Sequence, residues 1–570
     1  MYKTKVGTLI FALGLVAAAG VLAQATPDLR GIEKSTADLL EGKSDGPANL
    51  TVPVAGAGAA STLSVDVLKE VQVNSRLLAQ EISTYWLPYL RKPVSADQIA
   101  AFKGWLFTQL QRQGYLGFVD VAEQKADKQA DIGSVLVVTV SSLVIERVTI
   151  VAHDDGPGRA YAEEVARRFS RQFPAGAVLD VAALESQLSA ARYDLPVELD
   201  VDLRQQGAQQ VEVVINLHSL RANPLSLNNG VVQANNYGLP QYGRGQLMAG
   251  LRLEGFTPLS ALSLTALASE RVGFFKADYD MPLMGTASHV HGWLSTSQSS
   301  TSVDSGSASV SASMARSSSN EAGVGLTTLL QATRYGTTQL FADLAARRTE
   351  DTLADLPTRN QLDKQLRLGL RTESRRQWVD SLRTEFALVA GHLDLSGNAA
   401  DQAQDAASYE RSGDYSRLEF NGDISQGVSS DGLLAFAARW RGQYAGKNLS
   451  SYNKITLGGS NGLRAYTTAD GVADSGLGVS LDLTRAFGNV YAGLLYDAAW
   501  LQTSATPLAG TTDNTLLLQD AGFLLGGEVN RIQWNVSLAK SFGDAQNTTL
   551  DPTLTRTGDW RFNLELTRRF

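Results

Sequence analysis

Two sites in this chain contain residue types that could support catalysis or bind a metal ion. The first is Gly458-Gly459-Ser460-Asn461-Gly462, which fits the Gly-x-Ser-x-Gly pattern of a hydrolase nucleophile elbow. That elbow requires a strand before it and a helix after it, because the sharp turn between them exposes the serine. The surrounding sequence predicts neither element, so we do not expect a serine hydrolase.

His289 and His291 form the second site, since they lie two residues apart on a predicted strand and share the face that points to its lumenal side. Histidines at this spacing could contribute ligands to a metal ion. The chain has only five histidines and no cysteine, and no nearby acidic cluster is apparent. We therefore interpret the pair as solvated polar groups, and we expect no metal, no cofactor and no enzymatic activity.

The composition favours a barrel in a membrane over a protein that binds nucleic acid. A net charge of −8 provides no basic field, so we expect no nucleic-acid partner. Only 19% of the residues are charged and 52 are glycine, which suits a barrel whose alternate residues contact lipid and whose turns are tight. Composition alone is equally compatible with a secreted β-rich adhesin.

Apolar and polar residues alternate in segments that recur about every twenty residues through the second half of the chain. Residues 223–570 are thereby predicted to form a transmembrane β-barrel of about sixteen antiparallel strands, each long enough to cross a bilayer. We expect Gln298–Asn320, which is rich in Ser and Thr, to be a surface loop. The last strand shows the alternation most clearly, with one apolar face made of Trp560, Phe562, Leu564, Leu566 and Phe570.

The residues before the barrel contain the order β-α-α-β-β twice, which indicates an internal repeat. We assign the two copies to residues 63–143 and 144–222. Ser95 and Gln98 form a capping-box pattern at the start of the second helix of the first copy. The apolar side chains on one face of that helix are interpreted as core, and they are Ile99, Phe102, Leu106 and Leu110.

Three shorter segments are predicted at the N-terminus. Residues 1–25 combine lysines, an apolar run and small residues, as a secretory signal peptide does. Residues 26–43 contain a short amphipathic helix, and the Gly/Pro/Ala-rich residues 44–62 form a linker. One tethered helix is too small to fold alone, so we expect it to dock in a pore as a plug-like helix.

The whole arrangement resembles the TpsB transporters of two-partner secretion, which include the haemolysin and filamentous-haemagglutinin exporters. The segment Leu457–Tyr466 looks like the start of the long extracellular loop of that family. The resemblance covers nearly the whole chain, from the signal peptide to the barrel. It implies that the two repeats are POTRA (polypeptide-transport-associated) domains in the periplasm, and that a loop at residues 446–475 enters the barrel lumen.

The resemblance also implies which residues hold this loop. Leu463-Arg464-Ala465-Tyr466 matches the Val-Arg-Gly-Tyr motif of the family, with the arginine and the tyrosine identical. In the family that arginine faces an acidic residue on a later, inward-facing strand, and Asp497 stands at the matching place here. Ala465 departs from the family glycine, and alanine disfavours the positive φ that glycine allows.

By the same resemblance we expect an outer-membrane translocator of a Gram-negative bacterium. It would capture a large, unfolded, β-rich exoprotein of the TpsA type near Val197–Leu217 and export it through its barrel. The expected further partners are outer-membrane lipid and the barrel-assembly machinery, for which the C-terminal strand would be the assembly signal. A factor that inserts other barrels into the membrane is the alternative, while a passive porin would have no use for periplasmic repeats.

Overall fold

The computed structural model describes residues 50–51, 63–74, 78–112, 117–125, 133–153, 157–195, 197–206, 209–219, 230–254, 259–303, 313–333, 335–376, 379–459, 462–507, 514–544 and 554–570. The predicted signal peptide (1–25) and plug-like helix (26–43) lie outside these ranges. So does the predicted linker (44–62), apart from Leu50 and Thr51. In the described ranges, every helix lacks either the length or the apolar character needed to span a membrane.

The first α/β unit has the predicted β-α-α-β-β order. Its elements are β2 (Leu68–Asn74), α1 (Ala79–Trp86), α2 (Ala96–Arg112), β3 (Gly117–Lys125) and β4 (Ser134–Ser142). Strand β4 is central, because β2 pairs with it in parallel and β3 pairs with it antiparallel. Ser95 donates its N–H to Gln98 Oε1 at 2.9 Å, and Gln98 donates its N–H to Ser95 Oγ at 3.2 Å, so the capping box is confirmed. The predicted core face is buried at all four positions, Ile99, Phe102, Leu106 and Leu110.

The second α/β unit repeats the order of the first. Its elements are β5 (Val144–Ala152), α3 (Pro157–Gln172), α4 (Val181–Asp194), β6 (Val197–Gln205) and β7 (Gln210–Ser219). Strand β7 is central, with β5 parallel on one side and β6 antiparallel on the other. A short strand, β1 (Leu50–Thr51), pairs in parallel with the outer edge of β6 and sets Leu50 opposite Val201. The edge of this sheet therefore accepts an added strand.

Within the described residues, sixteen strands form one closed antiparallel barrel, which confirms the predicted fold class. The barrel strands before the long loop are β8 (Gly230–Asn235), β9 (Gln246–Glu254), β10 (Ala261–Ala268), β11 (Val272–Pro282), β12 (Ser288–Val303), β13 (Ser313–Thr333), β14 (Gly336–Leu353), β15 (Leu356–Arg376), β16 (Val379–Asp394), β17 (Gly413–Gly427) and β18 (Leu434–Ala445). Helix α5 (Ala399–Gln404) lies between β16 and β17, and the loop carries β19 (Ile455–Thr456) and β20 (Val472–Ala473). The barrel strands after the loop are β21 (Ser475–Phe487), β22 (Val490–Gln502), β23 (Thr515–Val529), β24 (Ile532–Gly543) and β25 (Trp560–Arg569).

The barrel closes between its last strand and its first. Strand β25 pairs antiparallel with β8, and Glu565 lies opposite Asn235. Phe570 continues this pairing, because its backbone exchanges two hydrogen bonds of 3.0 Å with Gly230. The C-terminal residue thus takes part in closing the cylinder.

Side chains alternate between the outer face and the lumen, as a membrane barrel requires. On β22, Leu494 is 56% exposed on the outer face, while Asp497 is 0% exposed on the inner face. On β25 the outer face carries the exposed Trp560 and Phe562, and the inner face carries the buried Asn563. The exterior of the barrel is therefore apolar, and its inner face is polar.

The predicted surface loop at Gln298–Asn320 is wrong over most of its length. Strand β12 continues to Val303, and β13 begins at Ser313. The two strands pair in unbroken register, with Ser302 opposite Met314. Ser and Thr fit a strand here because this part of the wall extends beyond the apolar belt, where both faces are polar.

The second α/β unit contacts the barrel directly. Gly285, in the turn between β11 and β12, donates its N–H to Glu164 on α3 at 2.7 Å. Arg171 on α3 donates to the carbonyl oxygen of the same glycine at 3.2 Å. Ser186 on α4 donates to the carbonyl oxygen of Ala332 on β13 at 2.7 Å. These contacts fix the second α/β unit at this end of the barrel.

Candidate functional site

The connection between β18 and β21 folds back into the lumen instead of extending from the barrel. Strands β19 and β20 pair antiparallel and form its stem. Apolar residues of the loop pack against apolar residues of the wall around β22 to β24, because this contact removes the apolar surface of both from water. The loop residues in this cluster are Ile455, Leu457, Leu463, Ala465, Tyr466 and Ala473, and the wall residues are Leu495, Ala499, Leu501, Leu518, Leu524 and Ala539.

The loop tip is bound to the wall by Arg464 and Asp497. Arg464 Nε donates to Asp497 Oδ2 at 2.9 Å, and Arg464 Nη2 donates to Asp497 Oδ1 at 2.7 Å. The backbone N–H of Arg464 also donates to Asp497 Oδ2, at 3.0 Å. A planar guanidinium matched to a carboxylate is the most directional ion pair that a protein can form. It fixes the orientation of the tip as well as its position.

Both residues of this ion pair are almost completely buried. Arg464 is 8% exposed and Asp497 is 0% exposed. A second carboxylate, Asp482 on β21, lies 2.7 Å from Arg464 Nη2. Removing one partner of such a buried pair leaves an uncompensated charge, which costs about 3–5 kcal/mol. Burying the pair also costs desolvation energy, so its clearest effect is to specify one position for the loop and to penalise the loss of either partner.

The other motif residues pack around the arginine. The Tyr466 hydroxyl lies 3.0 Å from the carbonyl oxygen of Phe542 and 3.2 Å from that of Gln519. Leu463 and Ala465 are buried against the wall. The φ angle of Ala465 is not positive, whereas several other non-glycine residues in the described ranges do have positive φ. The alanine therefore causes no backbone strain at this position.

Three further anchors of the loop were missed by sequence reasoning. Asp520 Oδ2 accepts the N–H of Ala465 at 3.0 Å, and Asn563 Nδ2 donates to the carbonyl oxygen of Arg464 at 2.9 Å. Asp470 accepts the N–H of Thr555 at 2.7 Å. Asp520 and Asn563 lie at inward-facing positions of predicted strands, and that parity was a usable signal. No sequence signal indicated the role of Asp470, because Asp470 and Thr555 both lie in irregular segments.

The two histidines have acidic neighbours that the linear sequence did not suggest. His289 is ion-paired with Asp194 of the second α/β unit and with Asp280 on the adjacent strand, the latter at 2.7 Å. His291 lies 3.2 Å from Asp343 on β14. The expectation of no nearby acidic cluster was wrong, because these aspartates come from separate elements. Among the described residues, no group of three or more His, Asp, Glu or Cys side chains could hold a metal ion.

The C-terminal residues lie where the alternating pattern predicts. Trp560, Phe562, Leu566 and Phe570 are exposed on the outer face of the barrel, and Leu564 shares their parity. The inner face of the same strand carries Asn563, which contacts the loop. Strand β25 therefore carries exposed apolar residues on its outer face and a loop anchor on its inner face.

A closed barrel of sixteen antiparallel strands, with two α/β units before it and a loop pinned inside its lumen, has the architecture of an outer-membrane β-barrel protein. The sequence profile described as "Haemolysin secretion/activation protein ShlB/FhaC/HecB" matches residues 212–510, which is more than half of the chain. The chain belongs to this family. It is an outer-membrane translocator of two-partner secretion in a Gram-negative bacterium, with its POTRA-like domains in the periplasm.

Solved structures show the same fold. CdiB from Escherichia coli is 16% identical, with a TM-score of 0.66, and the match covers 98% of this chain and 99% of that chain. CdiB from Acinetobacter baumannii is 13% identical, with a TM-score of 0.64, and the match covers 97% of this chain and 99% of that chain. No curated protein matches the chain by sequence. Membership of a transporter family does not favour the alternative of a barrel-inserting factor.

Proposed function

We propose that this translocator exports protein only when the loop is docked in the lumen, and that the Arg464–Asp497 pair must form for export to occur. The observation that carries this proposal is the two-pronged, buried contact between the loop tip and the barrel wall. The exported protein would pass through the same lumen that the loop occupies. Anchoring at one tip keeps the loop on one side of that path in a defined arrangement.

Substitution of Arg464 and Asp497 tests this proposal. Arg464→Ala and Asp497→Ala are expected to abolish export while the barrel still inserts, because each leaves a buried charge unpaired. The charge-swapped double variant, Arg464→Asp with Asp497→Arg, should recover part of the export. Secretion is measured as cargo in the medium, and insertion as resistance of the barrel to alkaline extraction. Wild-type secretion by both single variants would contradict the proposal.

A matched control is Arg348→Ala, which removes an arginine that pairs with Glu350 and is 59% exposed. Exposed pairs of this kind contribute little to stability. This variant should insert and export as the wild type does. Loss of export in Arg348→Ala would mean that the assay reports general damage to the barrel and not release of the loop.

The cargo class follows from the family and from the second α/β unit. We propose that an extended segment of a large TpsA-like exoprotein adds to the outer edge of β6, within Val197–Leu217. The pairing of Leu50 with Val201 at this edge supports the proposal, because it is the geometry that strand addition requires. Direction would come from folding of the exoprotein outside the cell, without catalysis by the translocator itself.

The N-terminal segments and the outer surface complete the proposal. Residues 26–43 would form a helix that plugs the pore, connected by a linker at 44–62, after a signal peptide at 1–25. Deletion of residues 26–42 should then raise the conductance of the purified barrel in a planar bilayer, and unchanged currents would argue against a plug. The outer apolar face would bind lipid, and the barrel-assembly machinery would recognise the strand that ends at Phe570.

A further inference from the structure

Asp520 lies next to the loop anchor in an arrangement that the Arg464–Asp497 pair does not explain. It is directly opposite Asp497 across the pairing of β22 and β23. Both aspartates are 0% exposed. The N–H of Arg464 donates to Asp497 and the next N–H, that of Ala465, donates to Asp520, each at 3.0 Å. Two successive amides of the loop tip are therefore bound by two carboxyl groups on adjacent strands.

The charges around the tip do not balance if every acid is ionised. Arg464 is paired with Asp497 and with Asp482, at 2.7 Å in both cases. Arg439, whose side chain is 50% exposed, is the second guanidinium at this place, and it lies 3.2 Å from Asp482. Two guanidinium groups thus face three carboxyl groups when Asp520 is included. A buried carboxylate without a counter-charge is strongly unfavourable.

The individual oxygen atoms indicate where a proton lies. Asp520 Oδ1 is buried and accepts no hydrogen bond from the described part of the protein. Asp497 lies directly opposite Asp520 in the pairing of β22 and β23, so the two carboxyl groups are in neighbouring positions on the inner face of the wall. Two carboxyl groups in such positions repel each other when both are ionised. Asp497 already accepts three hydrogen bonds from Arg464, so it is the member of the pair that keeps its charge.

We propose that Asp520 is a neutral carboxylic acid that donates its O–H to Asp497, accepts the N–H of Ala465, and so positions the loop tip. The inference rests on the proposed role of the docked loop. Asparagine can perform both functions, because its amide donates to a carboxylate and its carbonyl oxygen accepts an N–H. Asn should therefore be tolerated at position 520 and not at position 497, where the charge itself binds Arg464.

The protonation state can be measured without any export assay. The infrared spectrum of the purified barrel should contain the carbonyl-stretch band of a protonated, buried carboxylic acid that is lost in Asp520→Asn. The control Asp431→Asn, in an exposed periplasmic turn, should keep the band. Spectra of the wild type and Asp520→Asn that are identical in this region would overturn the proposal.

The positioning role is measured as the location of the loop. The chain has no cysteine, so spin labels at Thr468→Cys in the loop and Gln533→Cys on β24 report one distance. The wild type and Asp520→Asn should give the same single distance. Asp520→Ala leaves the N–H of Ala465 unpaired and should raise the undocked fraction about tenfold, and Asp497→Asn should raise it further.

The outcomes separate this inference from the proposed function. A loop that stays docked in Asp520→Ala would overturn the role of Asp520, whatever the export result. Displacement in Asp520→Asn equal to that in Asp520→Ala would overturn the neutral-acid assignment. If the loop moves as expected but Asp497→Ala still exports, the positioning inference holds and the proposed function fails.

Discussion

Asp194, at the end of α4, is ion-paired with His289 at the start of β12, so a charged contact joins the second α/β unit to the barrel. Asp194 also lies 2.5 Å from Arg168 on α3, and His289 lies 2.7 Å from Asp280 on β11. The side chains of Asp194 and Arg168 are each 4% exposed. Their interaction is therefore screened by water much less than that of a surface pair.

We expect Asp194→Ala to loosen the joint between the second α/β unit and the barrel. Removing the carboxylate leaves Arg168 with Glu164 as its acidic partner, at 2.8 Å, and takes from His289 its ion pair with the second α/β unit. Hydrogen exchange of the turn at residues 283–287 should then become faster in the full-length protein. The control is Glu163→Gln on α3, whose pair with Arg159 is exposed. Equal exchange rates in Asp194→Ala and the wild type would contradict the expectation.

Deleting residues 65–220 should separate transport of protein from passage of small solutes. Without the two α/β units the barrel retains all sixteen strands, so solute flux should persist. Export should vanish, because the proposed capture edge on β6 has been removed. Both are measured in the same cells, as solute uptake and as cargo in the medium. Export at the wild-type level would argue that the periplasmic units are not required for capture.

Acid should weaken the sheet of the second α/β unit through Glu212. A hydrogen bond from Arg147, and a further one from Thr149, lower the pKa of Glu212 to about 2 from its ordinary value of 4.5. A carboxylate with a lowered pKa stabilises the fold above its unfolded pKa, and this contribution disappears as the pH falls from 4.5 towards 2. Hydrogen exchange of β7 in the full-length protein should accelerate over this window.

Glu212→Gln is the variant that tests this assignment. It should show faster exchange at neutral pH and little further change down to about pH 3, because the titrating group is gone. Glu198→Gln is the control, since Glu198 lies exposed on the neighbouring strand β6. It should retain the pH dependence of the wild type. A wild-type acid response in Glu212→Gln would assign the effect to another carboxylate.

The C-terminal residue should matter for assembly more than for the finished fold. Deleting Phe570 removes two hydrogen bonds at the seam where the barrel closes. We expect less folded barrel in cells, measured by its shift in mobility on unheated gels. Phe570→Leu keeps the backbone contacts and an apolar side chain, so it should assemble better than the deletion. Equal yields of the deletion and the wild type would contradict a role of this residue in closure.

The repeating alternation of apolar and polar residues sufficed to predict the barrel, because lipid outside and water inside impose it on every strand. It failed at Gln298–Asn320, where β12 and β13 are polar on both faces. There the strand is maintained by pairing with its neighbours, which a single segment does not reveal. The order of elements in the two α/β units was predictable because each helix and strand buries one apolar face.

The contact between Arg464 and Asp497 followed from resemblance to a family and not from the residues themselves. Nothing in the local sequence brings together positions separated by β21 and a turn. The contributions of Asp520 and Asn563 also depend on the path of the loop, which is set by the packing of Leu463 and Tyr466 against the wall. The alternation of residues along a strand predicts that the side chains of Asp520 and Asn563 face inward. It does not predict which loop residues they contact.

The strands differ greatly in length around the cylinder. Strands β13 and β15 have 21 residues each, whereas β8 has 6. At about 3.4 Å per residue, the difference along the strand direction is about 50 Å. The barrel wall is consequently uneven in height. It is tallest around β13 and β15 and lowest near β8. Among the described residues, a polypeptide that leaves the lumen therefore passes a much taller wall beside β13 and β15 than beside β8.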